Sequence, residues 1–420
     1  MGGLRGEPTD EILLARAYLS RVCEPANLDL YLLIERVGPL EAAARIRAGA
    51  VASLVAATQA RRERADPAAD LETAYACGAR LVVPESADWP AFAVAGLEKQ
   101  AHRLAARRGG EKVPATSLTA HPIPPVALWV AGDADLTGLG SRSVAMVGSR
   151  AASAYGEQVA SDLAYQLAQR DVVVVSGGAV GIDAAAHRGA LAGGGVTVLV
   201  SAAGLDRCYP LSNTPLYTKV RESGLLISES PPGVAPQRQR FLSRNRLIAA
   251  FGQVTLVVEA ARRSGSLNTA RHARDIGRPT LAVPGPITSA LATGSNELIR
   301  RDEDPARLIT SAADILDYLD GGRVGLDVPL TLLPARATGG EELRDRLDLL
   351  DPTARLVFEA VPGSGAATSD ELARRAGLPA AEIMRAIPSL RIAELVEARE
   401  GGWGISRQVR GQRRARSAMR

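Results

Sequence analysis

Six short apolar runs, set between segments of helical periodicity, constrain this chain more than any other feature. SVAMV (143–147), VVVVS (172–176), VTVLV (196–200), LLIS (225–228), VTLVVE (254–259) and TLAV (280–283) are apolar almost throughout rather than alternating. A strand apolar on both faces must be covered on both. Strands of that kind separated by helices predict an α/β fold with a parallel sheet between two helical layers. Each run ends in small or polar residues: GSR, SGGAVG, SAAGLD, SES, EAARRSGS and PGP. In an open α/β sheet such carboxyl ends line the ligand crevice.

At 420 residues the chain is too long for one ordinary domain. Residues 1–80 read as a small helical domain of SAM or helix-hairpin-helix type, the latter from RVGPLEAAARI, and 81–320 as the sheet domain. Residues 321–350 read as a linker, and 105–125 as an irregular, Gly- and Pro-rich connection. The order helix, helix, helix, two short strands over 351–406 predicts a winged helix, in which Ser369 or Thr368 caps the second helix and Gly377 ends it. Pro388 is an awkward residue inside the third helix. Residues 407–420 form a tail with six arginines and no acid.

No apolar run reaches the ~18 residues of a membrane span, and the acids near the N-terminus argue against a signal peptide. Cys23, Cys77 and Cys208 are too scattered for a disulfide framework or a zinc site, which predicts a cytoplasmic protein. The formal charge is only +4, so the placement of cations matters more than their sum.

Four segments invite an anion. In VAMVGSR (144–150), Gly148 permits close backbone approach, the following helix start offers N–H groups, and Ser149 and Arg150 lie beside it. In SGGAVGIDAAAH (176–187), Gly177 and Gly178 form a second turn; Asp183 and His187 lack a third ligand, so a structural role is expected and no metal. The segment QRQRFLSRNR carries Arg238, Arg240, Arg244 and Arg246. There Phe241 either stacks on a base or is core, and Asn245 either meets a base edge or fixes the loop. Finally Ser264, Gly265 and Ser266 form another phosphate-type turn, beside Arg262 and Arg263. There is no G-K-[ST], H-E-x-x-H or C-x-x-C. With no evident catalytic set, no catalytic residue and no cofactor are expected, and binding is.

At these residues the sequence resembles the DprA/Smf family of DNA-processing proteins. The match runs over roughly 120–320, through VAMVGSR, SGGAVGIDAAAHRGAL, GLDRCYP, SES, RFLSRNRLIAA, VVEAARRSGSLNTA, GRPTLAVPGP and SNELIR. The resemblance implies an extended Rossmann-like fold that binds single-stranded DNA without sequence preference, protects it, dimerises and loads the RecA recombinase in natural transformation. It implies DNA contacts at Ser149 and Arg150, Gly177 and Gly178, the Arg240–Arg246 segment with Phe241, and Ser264–Ser266. The sequence departs from the family pattern at Val180, where a basic residue is usual, at Leu242, where proline is usual, and at the acidic RDEDPARLIT after LIR. The competing expectation is a Rossmann-type small-nucleotide sensor or hydrolase, which needs a carboxylate in the cradle; Glu229 and Glu259, at strand ends, are its candidates.

Overall fold

All six apolar runs pair into one sheet in the computed structural model, which describes residues 7–107, 121–320, 352–362, 365–392, 395–399, 401–406 and 409. The expected linker 321–350 and nearly all of the arginine tail lie outside the described residues, as do 108–120 of the irregular connection. The chain divides into two compact units, Met1–Val324 and Gly325–Arg420.

In the first unit the strands are β1 (Ala79–Val82), β2 (Leu128–Ala131), β3 (Ser143–Val147), β4 (Val173–Ser176), β5 (Thr197–Ser201), β6 (Leu225–Ser228), β7 (Val254–Val257), β8 (Thr280–Ala282) and β9 (Arg307–Leu308). Their order is β1-β2-β6-β5-β4-β3-β7-β8-β9. From β6 to β9 every pairing is parallel. β1 and β2 add an antiparallel edge that the apolar pattern did not predict, because ARLV and LWVA are too short to show a period. The sheet is therefore mixed rather than purely parallel.

Helices cover both faces, as continuous apolar strands require. On one face α5 (Ala91–Arg107), α9 (Arg238–Phe251) and α10 (Ser266–Asp275) bury Val94, Leu97, Leu247, Phe251 and Ala270 against the strands. On the other lie α6 (Ala154–Ala168), α7 (Ile182–Ala192) and α12 (Ala312–Leu319), with Leu163, Leu167, Ile182, Ala186 and Ile315 in the core. α8 (Thr214–Ser223) and α11 (Thr293–Ile299) complete the layer set.

The chain before β1 is helical: α1 (Asp10–Val22), α2 (Leu28–Arg47), a short α3 (Val55–Thr58) and α4 (Pro67–Ala76). Thr9 and Asn27 cap α1 and α2 by accepting from Ile12 N and Leu30 N. α2 kinks at Gly38 (φ 77°), next to Pro39, which lacks an N–H for the helix ladder. Arginine clamps tie these helices to the sheet. Arg21 pairs with Asp70 and donates to the Pro232 carbonyl at 2.6 Å, and Arg16 pairs with Glu85 at 2.6 Å.

The second unit holds α13 (Pro352–Ala360), α14 (Ser369–Ala376), α15 (Ala380–Ile392) and the antiparallel pair β10 (Val396–Arg399) and β11 (Gly402–Ile405). Thr368, not Ser369, is the cap of α14, in a reciprocal capping box with Glu371. Gly377 ends that helix in the left-handed region (φ 67°). Helix α15 runs through Pro388. Phe358, Leu372, Ile383, Leu390 and Ile405 form the core of this unit.

Candidate nucleic-acid interface

The strand order reverses direction at one place. From β3 the chain winds outward through β4, β5 and β6, and then returns to β3's other side with β7, β8 and β9. Ligands of open α/β sheets bind at such a switch point, outside the carboxyl ends of the strands. Here that edge is an open cavity of ≈740 Å³. Its walls come from the turn after β3 (Gly148, Ser149, Arg150), the first two turns of α9 and the Ser264–Gly265–Ser266 turn after β7.

Cations dominate this cavity. Arg150, Arg238 and Arg263 are exposed at its rim. Arg150 lies 5.0 Å from the centroid of the Phe241 ring, close enough for cation–π attraction. Phe241 is half-buried, with Tyr209 tilted against it at 5.5 Å. It is thus neither a core residue nor free, and it lines the cavity. Asn245 donates to the Gly265 carbonyl at 3.3 Å and so holds the third turn against α9.

Deeper in, Arg244 is buried, with Asp183 beside it. Its Nη1 donates to the Val200 carbonyl, while its Nε has no partner among the described residues. Asp183 is the one carboxylate among the lining residues. Burial pushes its pKa up to about 6, against the opposite pull of Arg244, the Ala179 amide and Arg150. His187, one turn further along α7, is fully buried between the Thr197 hydroxyl (2.7 Å) and the Gly177 carbonyl (2.8 Å). Burial lowers its pKa to about 4, so it is neutral near pH 7. Among the described residues no cluster of three or more potential ligands could hold a metal ion.

The three glycine turns are not equivalent. After β3, the anion at the helix start is the protein's own: Glu259 accepts from Ser153 N at 2.8 Å and from Ser153 Oγ at 2.6 Å, at the N-terminus of α6. The Ser149 amide is spent on the Glu259 carbonyl at 2.7 Å. Gly148 serves packing rather than ligand approach, because a Cβ there would lie 2.4 Å from Ile182 Cγ1 and 2.8 Å from the Glu259 carbonyl. Gly148→Ala should therefore lower the unfolding free energy by about 1–3 kcal/mol through overpacking, a shift to be read from urea denaturation.

After β4, Gly177 and Gly178 are buried and do not line the cavity. A Cβ on Gly177 would lie 2.6 Å from Asp183 Oδ2 and 2.7 Å from Arg244 Nη2, and one on Gly178 would strike the Tyr217 hydroxyl. Only the turn after β7 is open: Gly265 is exposed, and a Cβ there would meet nothing within 4 Å.

The arginine segment splits in the same way. Arg246 is fully buried in a bidentate pair with Glu229 (2.5 and 2.7 Å) and donates from Nε to the Ile123 carbonyl at 2.6 Å. Arg240 turns toward the N-terminal helices and holds Glu24 at 2.7 and 2.9 Å. Neither lines the cavity. Both candidate carboxylates of the hydrolase reading, Glu229 and Glu259, are thus engaged in holding the fold. Residue types alone did not single out Asp183 as a lining residue, nor Tyr209. Asp183 carried a usable signal in its place at the first turn of α7, directly after a strand-end glycine turn.

A family profile described as DNA recombination-mediator protein A matches residues 108–320. A putative DNA processing protein DprA of Mycobacterium tuberculosis is 44% identical over 412 residues, covering 97% of this chain and 98% of the relative. Protein Smf of Escherichia coli K12 is 37% identical over 280 residues, 66% of this chain and 71% of that one. Among solved structures, DNA processing protein A of Streptococcus pneumoniae superposes with a TM-score of 0.57 at 28% identity, over 74% of this chain and 98% of that one.

Proposed function

The chain belongs to the DNA recombination-mediator (DprA/Smf) family, and on that premise we propose that it binds single-stranded DNA along the cavity edge without sequence preference. One observation carries the reading: three exposed arginines and an accessible aromatic ring surround a cavity whose lining has a single, buried carboxylate. Arginines follow a phosphate chain whatever its sequence. A ring such as Phe241 stacks on any base, but only on one already out of a duplex stack. The open Ser-Gly-Ser turn at the start of α10 spends its Ser264 and Ser266 amides inside the protein, so what it adds for a further phosphate is the pair of serine hydroxyls, which meet each other at 2.7 Å.

We read the protein as a cytoplasmic binding protein rather than an enzyme. It would protect strands entering by transformation, dimerise, and load the RecA recombinase onto them. Its N-terminal helices form a helical module and its second unit a winged helix. Among the described residues no helix is long and apolar enough to cross a membrane. The small-nucleotide alternative is disfavoured at the very place where a Rossmann-type site holds a pyrophosphate. That helix start is filled by the Glu259 carboxylate, and Gly156, in its first turn, has no room even for a methyl group (2.8 Å to Glu259 Oε2).

The test is fluorescence anisotropy of labelled oligonucleotides, of mixed and of homopolymer sequence, with duplex DNA and NAD as competitors. Sequence-tolerant binding that duplex and NAD displace poorly is the expected result. Arg150→Ala with Arg263→Ala should also flatten the salt slope by about 1.4, at roughly 0.7 per phosphate contact on a single strand. Competition by NAD at micromolar concentration would instead support the nucleotide-sensor reading. RecA loading is tested separately, by the lag before RecA hydrolyses ATP on strands coated with single-strand-binding protein; the full chain should shorten it.

A further inference from the structure

The floor of the cavity holds an arrangement that simple phosphate recognition does not explain. Arg244 is buried, and the hydrogen bond it makes there goes to a carbonyl and not to Asp183. Its Nε is left without a partner among the described residues. Asp183 Oδ2 and Arg244 Nη2 both converge on Gly177, each within 2.7 Å of the point where a Cβ would stand. Both residues line the open cavity. A buried guanidinium with a free N–H is a strong anion site. A phosphate oxygen seated there, however, comes within a few ångströms of a carboxylate, and two like charges in so dry a place repel strongly.

We propose that Asp183 and Arg244 form a proton-linked phosphate latch, in which strand binding takes up one proton from solvent onto the Asp183 carboxyl. The neutral carboxyl then donates its O–H to the same phosphate that accepts from the Nη2 edge of the Arg244 guanidinium, which stands on the Asp183 side of Gly177. The latch rests on the DNA reading above and names how that site is regulated. Burial already holds Asp183 near pH 6, and an incoming phosphate raises it further.

The groups acting on this carboxyl are few. Arg244 comes from α9 and Arg150 from the turn after β3; the Ala179 amide donates from the turn after β4, and the Ser176 hydroxyl, itself donating to the Met146 carbonyl at 2.6 Å, lies close by at the end of that strand. Tyr217, on α8, acts on Arg244, and burial raises its pKa above the ordinary tyrosine value. His187 on the same helix is lowered to about 4. Burial thus moves Tyr217 and His187 in opposite directions, both away from the range pH 5.5–8 in which Asp183 lies. Phosphodiesters do not titrate there either.

The sign follows directly. Above the pKa of the free carboxyl, each rise of one pH unit weakens binding by up to about tenfold, the limit for uptake of one proton. The experiment is anisotropy of a labelled oligothymidylate with the full chain from pH 5.5 to 8.0 at constant ionic strength, for wild type and Asp183→Asn. The wild type should lose affinity as pH rises. Asp183→Asn, neutral at every pH, should give a flat profile and bind more tightly than wild type at pH 8. Titration calorimetry of the wild type in two buffers of different ionisation enthalpy should report net proton uptake, and this readout survives if the variant fails to fold. A flat wild-type profile without proton uptake overturns the latch and leaves the DNA reading standing, as does an unchanged slope in a folded Asp183→Asn. No oligonucleotide binding at any pH overturns the DNA reading, and the latch with it.

Discussion

Arg246→Ala is expected to be among the most destabilising single substitutions in this chain while leaving DNA affinity almost untouched. The guanidinium is fully buried and meets Glu229 through two hydrogen bonds, the Ile123 carbonyl through a third and the Ser243 carbonyl through a fourth. Truncation leaves the Glu229 carboxylate, itself buried, without its counter-charge. Removing one partner of such a pair costs about 3–5 kcal/mol, a large share of the 5–15 kcal/mol that holds an ordinary domain together. Replacing both residues by apolar ones of similar volume, Arg246→Met with Glu229→Leu, should recover much of the loss, since no buried charge then stands alone. Urea denaturation of the three variants checks this. The folded fraction of Arg246→Ala should bind oligonucleotide within about twofold of wild type, because the side chain does not reach the cavity.

Arg150→Ala with Arg263→Ala should give the opposite pattern. Both side chains are exposed at the cavity rim, so unfolding free energies should stay within about 0.5 kcal/mol of wild type. A hydrogen bond to a charged partner is worth about 1.5–3 kcal/mol. Taking the lower figure for exposed groups, the pair should weaken single-strand binding by roughly a hundredfold near 0.1 M salt. Arg150 has a second part in this. It lies over Phe241, so its loss also removes a contact that steadies the ring on which a base would stack. Anisotropy with wild type, double variant and Arg246→Ala side by side separates a surface that binds from a network that folds. Equal losses in both variants would mean that binding tracks stability and that the cavity rim is not the interface.

Much of this architecture is written in the local sequence. The apolar runs at 143–147, 225–228 and 280–283 coincide with strands to within a residue, because a strand buried on both faces shows its environment in its own composition. The capping box at Thr368 and the left-handed Gly377 are equally local, decided by residues within one turn. β1 and β2 were not legible. ARLV and LWVA have four residues each, and their pairing partners lie dozens of positions away. The edge they form follows from the space beside β6, not from their own sequence.

The site divides along the same line. That the chain would offer arginines, an aromatic ring and glycine turns at the carboxyl edge of a sheet was written in the motifs and their order. Which of them face a ligand was not. Arg244, Arg246 and Arg240 sit within seven residues on one helix. Yet one lines the cavity floor, one is locked to Glu229 and one reaches back to Glu24. The turn after β3 looks in sequence like an anion cradle, but Glu259, some hundred residues later, fills it from inside. The α/β sheet and the chemistry gathered at its edge can be read along the chain, because a strand buried on both faces shows it in its own composition and a helix cap is decided within one turn. Which charges are spent on the fold and which are left for a ligand cannot be read that way, because a buried charge is settled by the counter-charge that long-range packing brings to it.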